Sequence, residues 1–265
     1  MADTNNYKYS FSSMTVTVKK VNQNRIYRTM NSLKILIIVT SHTVMGNSGE
    51  PTGLWLEELT TPYYAFVDAG VNVTIASIKG GAMLIDPRSQ KTPGENTPSV
   101  ERFLQDKTVM DAANSTSAIA NINSSQYDAV FLPGGHGTMW DLPQSKALAK
   151  IVSQAYARNK VVAAVCHGSA GLISATKPDG SPLVARMQIT SFTNGEEDAA
   201  GLSDTVPFML ETKLKELGAN FQSAGNFEPF AIADGNLITG QNPRSSLLVA
   251  HKVLEALKVK VPTAK

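Results

Sequence analysis

The amino-acid sequence predicts an α/β fold in which helices cover both faces of a mostly parallel central sheet. Short runs of Ile, Leu and Val, such as LKILIIVT at residues 33–40, have the continuous apolar pattern of strands buried on both faces. Helical segments lie between consecutive runs, which is the spacing of βαβ units. No linker-like segment interrupts residues 33–258, so this range is predicted to form one domain.

The individual elements follow from local patterns along the chain. Apolar runs predict strands at 33–40, 71–77, 128–132, 161–165 and 187–193. Residues 230–240 are predicted to form a hairpin that turns at Gly235. Helices are expected at 62–69, 109–122, 144–158, 206–217 and 243–257. Thr61 is the expected N-cap of the first helix, with Pro62 at its first position. The Gly- and Pro-rich segment 79–107 is either a surface excursion or a lid.

The composition is that of an ordinary globular protein. Of the 265 residues, 42% are hydrophobic and 17% charged, and 24 basic against 22 acidic residues leave a formal net charge of +2. So small a charge supplies no broad electrostatic field, which argues against nucleic acid or an anionic membrane as a partner. No apolar run approaches the roughly 20 residues that a membrane-spanning helix needs.

The two ends of the chain differ from the rest. In residues 1–32 basic residues outnumber the single acid, Asp3, and the apolar core of a secretory signal is missing. We expect a disordered extension there, which fits an organelle transit peptide or an upstream start codon, with Met30 beginning the functional protein. Residues 259–265 are expected to form a similar tail. The protein is expected to be cytoplasmic, with organelle targeting by the extension as the alternative.

Cys166 is the one cysteine, which excludes an intrachain disulfide and the CxxC metal and redox motifs. A lone cysteine is most simply a small buried hydrophobe, but its neighbours point to a nucleophile. The strand VVAAV runs straight into it, a helix is predicted directly after it, and Ala164 and Gly168 are the small residues that a sharp strand-to-helix turn requires. Such a turn favours the thiolate, and the N–H of His167 can stabilise an oxyanion on a substrate bound to the sulfur.

Two further loops are expected at the same edge of the sheet, where the carboxyl ends of parallel strands lie. Gly134 and Gly135 follow the strand 128–132, and adjacent glycines let backbone N–H groups approach an anion. The loop after the first strand carries His42 and three glutamates able to exchange a proton with the thiol, Glu50, Glu57 and Glu58. The residues alone do not choose among them. No His, Asp and Glu group has the spacing of a closed metal site, so no metal is expected.

These motifs resemble the ThiJ/PfpI family, whose members share the flavodoxin-like three-layer sandwich of class I glutamine amidotransferases. The resemblance covers residues 33–258 and includes KILIIVTS, TGLWLEEL, GVNVTIAS, YDAVFLPGGHG, VVAAVCHG, ITSFTN and LITGQNP. The combination of TGLWLEEL with CHG is similar to the glutathione-independent glyoxalase III and chaperone branch, also called D-lactate dehydratase. The resemblance implies that no cofactor is used and that the protein is a homodimer.

The resemblance also implies roles for particular residues. In this branch the glutamate five positions beyond the TG glycine contacts the nucleophilic thiol, and that position is Glu58. Cys166 matches the nucleophile, His167 the histidine that follows it, and Gly135 the glycine of the oxyanion hole. The resemblance leaves open whether Glu58 or His167 is the main base.

Other positions are assigned to the substrate pocket. His136 and Trp140 are expected to form its wall. Some relatives carry an aspartate after the next strand as a third triad member, and the nearest position here is Asn194, which is followed by the acids Glu196, Glu197 and Asp198. A cysteine, histidine and aspartate triad is therefore not expected.

Three functional hypotheses follow. The first is an enzyme that converts methylglyoxal or a related 2-oxoaldehyde, the small-molecule carbonyl substrate, to D-lactate or the corresponding 2-hydroxy acid through a hemithioacetal on Cys166. The second is a cysteine-dependent amidase or peptidase, against which the lack of an aspartate at Asn194 counts. The third is a non-enzymatic stress chaperone or thiol sensor.

Overall fold

The structure, a computed structural model, describes residues 33–259. Its strands are β1 (Lys34–Val39), β2 (Asn72–Ser77), β3 (Ser117–Ala118), β4 (Ala129–Leu132), β5 (Val161–Val165), β6 (Gln188–Ile189), β7 (Asn220–Phe221), β8 (Ala231–Asp234) and β9 (Leu237–Gly240). Seven of them form one sheet in the order β3-β2-β1-β4-β5-β9-β8. Only the β8–β9 pair of this sheet is antiparallel. β6 and β7 form a separate parallel pair.

The helices connect the strands and pack on both faces of the sheet. They are α1 (Leu56–Asp68), α2 (Pro98–Gln105), α3 (Lys107–Asn114), α4 (Thr138–Asp141), α5 (Lys146–Ala157), α6 (Asn194–Ala200), α7 (Leu210–Glu216) and α8 (Ser246–Ala256). Short 3-10 helices include Pro87–Ser89, Cys166–Leu172 and Pro243–Ser245.

The alternating side chains of the strands enter two separate cores, which confirms the predicted three-layer α/β sandwich. In β1, Ile35 and Ile37 pack with α1, α2, α3 and α8, whereas Leu36 and Ile38 pack with α4, α5 and α7. All four side chains are completely buried. The central strands are therefore apolar on both faces, as a sheet covered by two helical layers requires.

The first helix begins earlier than predicted. Its N-cap is Trp55, and Pro62 lies inside the helix instead of at its first position. Leu56 and Leu59 are completely buried and extend the apolar face of α1 toward its N-terminus. Packing therefore outweighs the one backbone hydrogen bond that Pro62 cannot donate, and the added first turn carries Glu58 into the protein interior.

Other predicted boundaries also shift. The helix predicted at 109–122 ends at Asn114, because Thr116 pairs with Gly81 through backbone hydrogen bonds and leads into β3. The strand predicted at 187–193 shortens to β6, and the helix predicted at 206–217 starts at Leu210. The segment 79–107 contains α2 and the 3-10 helix Pro87–Ser89, so it is a structured excursion. The hairpin at 230–240 is confirmed as β8 and β9.

The structure bears on the two predicted tails only in part. The predicted disordered extension, residues 1–32, lies outside the described residues, as do residues 260–265. Val259, which the sequence places in the tail, is buried and packs in the core that contains α8. Within residues 33–259, the helices are all too short or too polar to cross a membrane.

Candidate active site

The turn at Cys166 has the geometry of a nucleophile elbow. β5 ends at Val165, and the 3-10 helix Cys166–Leu172 follows without a connecting loop. Cys166 has a φ of 56°, a left-handed conformation that is strained for a residue with a side chain. Behind it, a Cβ atom on Gly168 would lie 2.1 Å from the carbonyl oxygen of Leu132 in β4. The predicted need for a small residue at 168 is thus confirmed, and the close approach leaves room only for glycine.

We expect Gly168→Ala to destabilise the protein by about 2 kcal/mol or more, because the new methyl group overlaps backbone atoms that cannot move independently. Gly225→Ala is the matched control. Its Cβ would meet only the side chain of Glu228 at 3.4 Å, so its stability should change by less than about 0.5 kcal/mol. Urea unfolding of both variants measures the difference, and equal midpoints would contradict the close approach.

The sulfur of Cys166 is buried beside a histidine. The residue is 3% exposed, and its Sγ lies 3.3 Å from Nδ1 of His167. Burial raises the pKa of the Cys166 thiol well above its usual value, the Glu58 carboxyl group raises it further when it is ionised, and the N–H of His167 lowers it. The prediction that the helix end yields a thiolate is therefore wrong for the resting site. Ionisation of the thiol requires a base.

The carboxyl group of Glu58 also contacts Cys166. It is completely buried, and its Oε2 accepts a 2.8 Å hydrogen bond from the N–H of Gly134. Burial raises the pKa of Glu58 to about 8, although the hydrogen bond from Gly134 and the contact with Cys166 both lower it. The carboxyl group therefore carries a proton at neutral pH. Because Oε2 is an acceptor and Oε1 meets no hydrogen-bond partner, that proton belongs on Oε1.

Glu197 in α6 holds the histidine in place. Its Oε2 lies 2.7 Å from Nε2 of His167 and its Oε1 lies 2.9 Å from Nε2 of His136. Burial by itself would raise the pKa of Glu197, but the hydrogen bonds from the two histidines outweigh it and lower the pKa to about 2. An ionised carboxylate only accepts, so each Nε2 carries a proton. Nδ1 of His167 is then the free lone pair that faces the thiol.

Comparison with known proteins identifies the family of the chain. A sequence profile described as the DJ-1/PfpI family matches residues 52–256. The chain belongs to the DJ-1/PfpI family. It is 31% identical over 242 residues to "Glutathione-independent glyoxalase HSP31" of Saccharomyces cerevisiae, which covers 85% of this chain and 98% of the relative.

Solved structures place the chain in the same part of the DJ-1/PfpI family. It is similar to glyoxalase III from Candida albicans, with 29% identity, a TM-score of 0.78 and coverage of 85% of this chain and 98% of that one. It is also similar to Rapid Encystment Protein 24 kDa of Francisella tularensis, with 40% identity, a TM-score of 0.81 and coverage of 85% and 99%. The matches to the two proteins named as glyoxalases confirm the resemblance to the glyoxalase III branch that the sequence motifs indicate.

In this DJ-1/PfpI chain the carboxylate that contacts His167 belongs to Glu197, whereas Asn194 pairs elsewhere. Asn194 donates through Nδ2 to Thr212, and its backbone N–H donates to Glu211, both in α7. An aspartate triad is not expected from the sequence, and the structure instead brings a glutamate, Glu197, three residues further along α6, into contact with His167. The sequence carried a partial signal: Glu196 forms a capping box with Thr193, which leaves Glu197 and Asp198 as the acids able to face the site.

The remaining predicted residues are placed as follows. Gly135 has a φ of 101°, and its N–H has no hydrogen-bond acceptor within residues 33–259. This N–H can therefore donate a hydrogen bond to an oxyanion. His136, which was predicted to form the wall of the pocket, is buried and hydrogen-bonded to Glu197. It therefore belongs to a hydrogen-bonded network of His136, Glu197 and His167, called the proton network below. Trp140 stacks on His42 at 5.1 Å between ring centroids.

Sequence reasoning missed two charged residues and one cluster. Nη2 of Arg88 lies 3.2 Å from Nδ1 of His136, and Arg88 is paired with the buried carboxylate of Asp86. Both belong to the segment 79–107, whose role the sequence left open. The expectation of no metal rested on spacing along the chain, yet His136, His167 and Glu197 bring potential ligand atoms within 4.8 Å of one another. These residues come from separate segments, so only the tertiary structure reveals their proximity.

Proposed function

We propose that the protein is a glutathione-independent glyoxalase that converts methylglyoxal, or a related 2-oxoaldehyde, to D-lactate or the corresponding 2-hydroxy acid. One observation carries the proposal: a buried thiol contacts both a proton acceptor, Nδ1 of His167, and the carboxyl group of Glu58, whose pKa of about 8 keeps it protonated at neutral pH. Isomerisation of a 2-oxoaldehyde needs both kinds of group at one sulfur. Two of the relatives described above carry glyoxalase names, which supports the same reaction.

The reaction begins with formation of a hemithioacetal. His167 accepts the thiol proton on Nδ1, and the Glu197 carboxylate stabilises the resulting imidazolium. The sulfur attacks the aldehyde carbon C1, while the N–H groups of Gly135 and His167 stabilise the developing oxyanion. Glu58 then protonates this oxygen, which leaves a neutral hemithioacetal and a Glu58 carboxylate.

The isomerisation moves one proton from C1 to C2. The Glu58 carboxylate removes the C1 proton while the His167 imidazolium protonates the C2 oxygen, which gives an enediol. Glu58 then returns its proton to C2 and His167 takes the proton from the C1 oxygen, which produces a 2-hydroxyacyl thioester on Cys166. A pKa of about 8 makes this carboxyl group a donor and an acceptor near neutral pH. Transfer of the proton from His167 to the Glu58 carboxylate restores the neutral imidazole, which then activates water to hydrolyse the thioester and release the 2-hydroxy acid and the Cys166 thiol. The sequence is redox-neutral and adds one water overall.

The test is a steady-state assay of the purified protein with methylglyoxal and no glutathione or other thiol, in which D-lactate is measured enzymatically. We expect D-lactate to accumulate with multiple turnovers. A panel of amide and aminopeptidase substrates is run in parallel, because the Cys166, His167 and Glu197 arrangement also suits a cysteine hydrolase. Turnover confined to the amide panel would replace the glyoxalase proposal with the hydrolase one.

Glu197→Gln is expected to lower kcat/KM for methylglyoxal by about 10²- to 10⁴-fold. The amide removes the negative charge that stabilises protonated His167 and brings an N–H donor toward the histidine Nε2 atoms. Asp198→Asn is the matched control, since Asp198 is the exposed acid next to it in α6, and its activity should match wild type. Comparable losses in the two variants would show that Glu197 only supports the helix.

A further inference from the structure

Three buried ligand groups meet beside the nucleophile. His136, His167 and Glu197 each offer one ligand atom, and these atoms lie within 4.8 Å of one another. Two imidazoles and a carboxylate are a donor set that Zn²⁺ accepts in proteins. A metal ion at this point would bind the lone pair of each histidine Nε2 and displace the two protons that are now donated to Glu197.

Arg88 opposes the replacement of the Nε2 proton of His136 by a metal ion. Its Nη2 lies 3.2 Å from Nδ1 of His136, and a guanidinium group can only donate. Nδ1 must therefore be the unprotonated nitrogen, and the ring proton lies on Nε2, 2.9 Å from Glu197. Binding of a metal through Nε2 would move that proton to Nδ1, where it would face an N–H of Arg88. It would also bring a divalent cation close to the guanidinium charge.

Asp86 keeps Arg88 in this orientation. The buried carboxylate of Asp86 accepts hydrogen bonds from Nε of Arg88 at 2.9 Å and from Nη2 at 2.6 Å. A further hydrogen bond of 2.9 Å from the hydroxyl of Thr52 fixes the carboxylate itself. A bidentate pair of this kind allows the guanidinium one orientation, so Arg88 cannot turn away from His136 without breaking several bonds.

His167 carries no comparable constraint. Its Nδ1 faces the sulfur of Cys166 at 3.3 Å, and a thiol can donate to this nitrogen or, once ionised, accept from it. His167 can therefore change its protonated nitrogen, whereas His136 cannot. Of the two histidines, His136 decides whether the cluster can bind a metal.

We propose that Arg88 is a positioning residue that fixes the Nε2–H tautomer of His136 and so keeps the His136, Glu197 and His167 cluster a proton network that excludes divalent metals. Loss of Arg88 creates a Zn²⁺ site that occupies Nε2 of His167. The effect on turnover rests on the proposed function, but the tautomer and the metal affinity do not.

The test is a Zn²⁺ titration by calorimetry in a Cys166→Ser background, which removes the thiol as a ligand. We expect Arg88→Met to raise the Zn²⁺ affinity by about 10- to 100-fold, and added His136→Gln to abolish the gain. Arg88→Lys should keep the weak affinity, since an ammonium group also donates to Nδ1. Equal Zn²⁺ affinity with and without Arg88 would overturn the proposal.

Two further measurements guard against a variant that does not fold. In Asp86→Asn/Arg88→Met both charges are removed together, so no buried carboxylate is left unpaired, and the same gain in Zn²⁺ affinity is expected. In the wild-type protein, ¹⁵N NMR of the imidazoles should show the Nε2–H tautomer for His136, and the Nδ1–H tautomer would refute the assignment. Failure of wild-type turnover would remove the proposed function while these two readouts still decide the role of Arg88.

Discussion

Replacement of Cys166 by serine is expected to lower kcat/KM for methylglyoxal by at least about 10³-fold while the fold is retained. The hydroxyl group is nearly the same size as the thiol, so packing and the φ of 56° at this position are preserved. It is, however, a much weaker acid, and His167 cannot ionise it to the same extent. The measurement is D-lactate formation without added thiol, together with the thermal unfolding midpoint of both proteins.

The same variant separates the enzyme from a chaperone. Suppression of the aggregation of a heat-denatured client protein depends on exposed surface and not on the buried sulfur, so a holdase activity would survive Cys166→Ser unchanged. Catalysis and thiol sensing would both be lost. Retention of more than about a tenth of the wild-type rate of lactate formation would exclude a covalent mechanism through this sulfur.

The parts of the site that lie within one continuous segment were predictable from sequence. The strand before Cys166, the sharp turn at it and the glycine two residues later all follow from the string VVAAVCHG, because an elbow is a local structure. The layers of the sandwich were equally predictable from the sequence, since buried strands and intervening helices have distinct residue patterns. The helix boundaries were less predictable. α1 begins at Leu56 because its first turn is buried in the folded protein, and the local capping signal of Thr61 and Pro62 carries no information about that burial.

The proton network was not predictable in the same way. Arg88, His136, His167 and Glu197 belong to separate segments, and their hydrogen bonds exist only once the carboxyl ends of the strands lie side by side. Family resemblance alone selected Glu58 among three glutamates, and it pointed to position 194 for the third triad member. The protonation states of the site residues could not be predicted from the sequence either, because they depend on burial and on the distances to hydrogen-bond partners.

The two carboxyl groups of the site are held in opposite states by their partners. Glu197 receives two imidazole N–H groups, and its pKa falls to about 2. Glu58 receives one backbone N–H and leaves one oxygen unpaired, so burial dominates and its pKa rises to about 8. One buried acid therefore remains an anion that supports His167, while the other retains a proton for the substrate. This division of roles makes Glu58 the residue whose removal should affect activity and stability in opposite directions.

Glu58→Gln is expected to lower kcat/KM by about 10²-fold or more, because the amide cannot give and take the proton that moves between C1 and C2. In the wild-type protein, kcat/KM should also fall as the pH rises through about 8, where the free enzyme loses the Glu58 proton. Glu50→Gln is the control, since Glu50 is an exposed glutamate on a neighbouring loop. An unchanged rate in Glu58→Gln would show that the proton transfer uses another group.

The same substitution should stabilise the protein at neutral pH. The pKa of Glu58 is raised in the folded state from 4.5 to about 8, so wild type loses stability relative to the variant as the pH rises from 4.5 to 8. The difference reaches about 3 kcal/mol at pH 7 and vanishes near pH 4. Glutamine keeps the oxygen that accepts from Gly134 and carries no charge to desolvate. Urea unfolding at several pH values measures the gap, and a pH-independent difference would mean that the Glu58 carboxyl group is not held protonated in the folded protein.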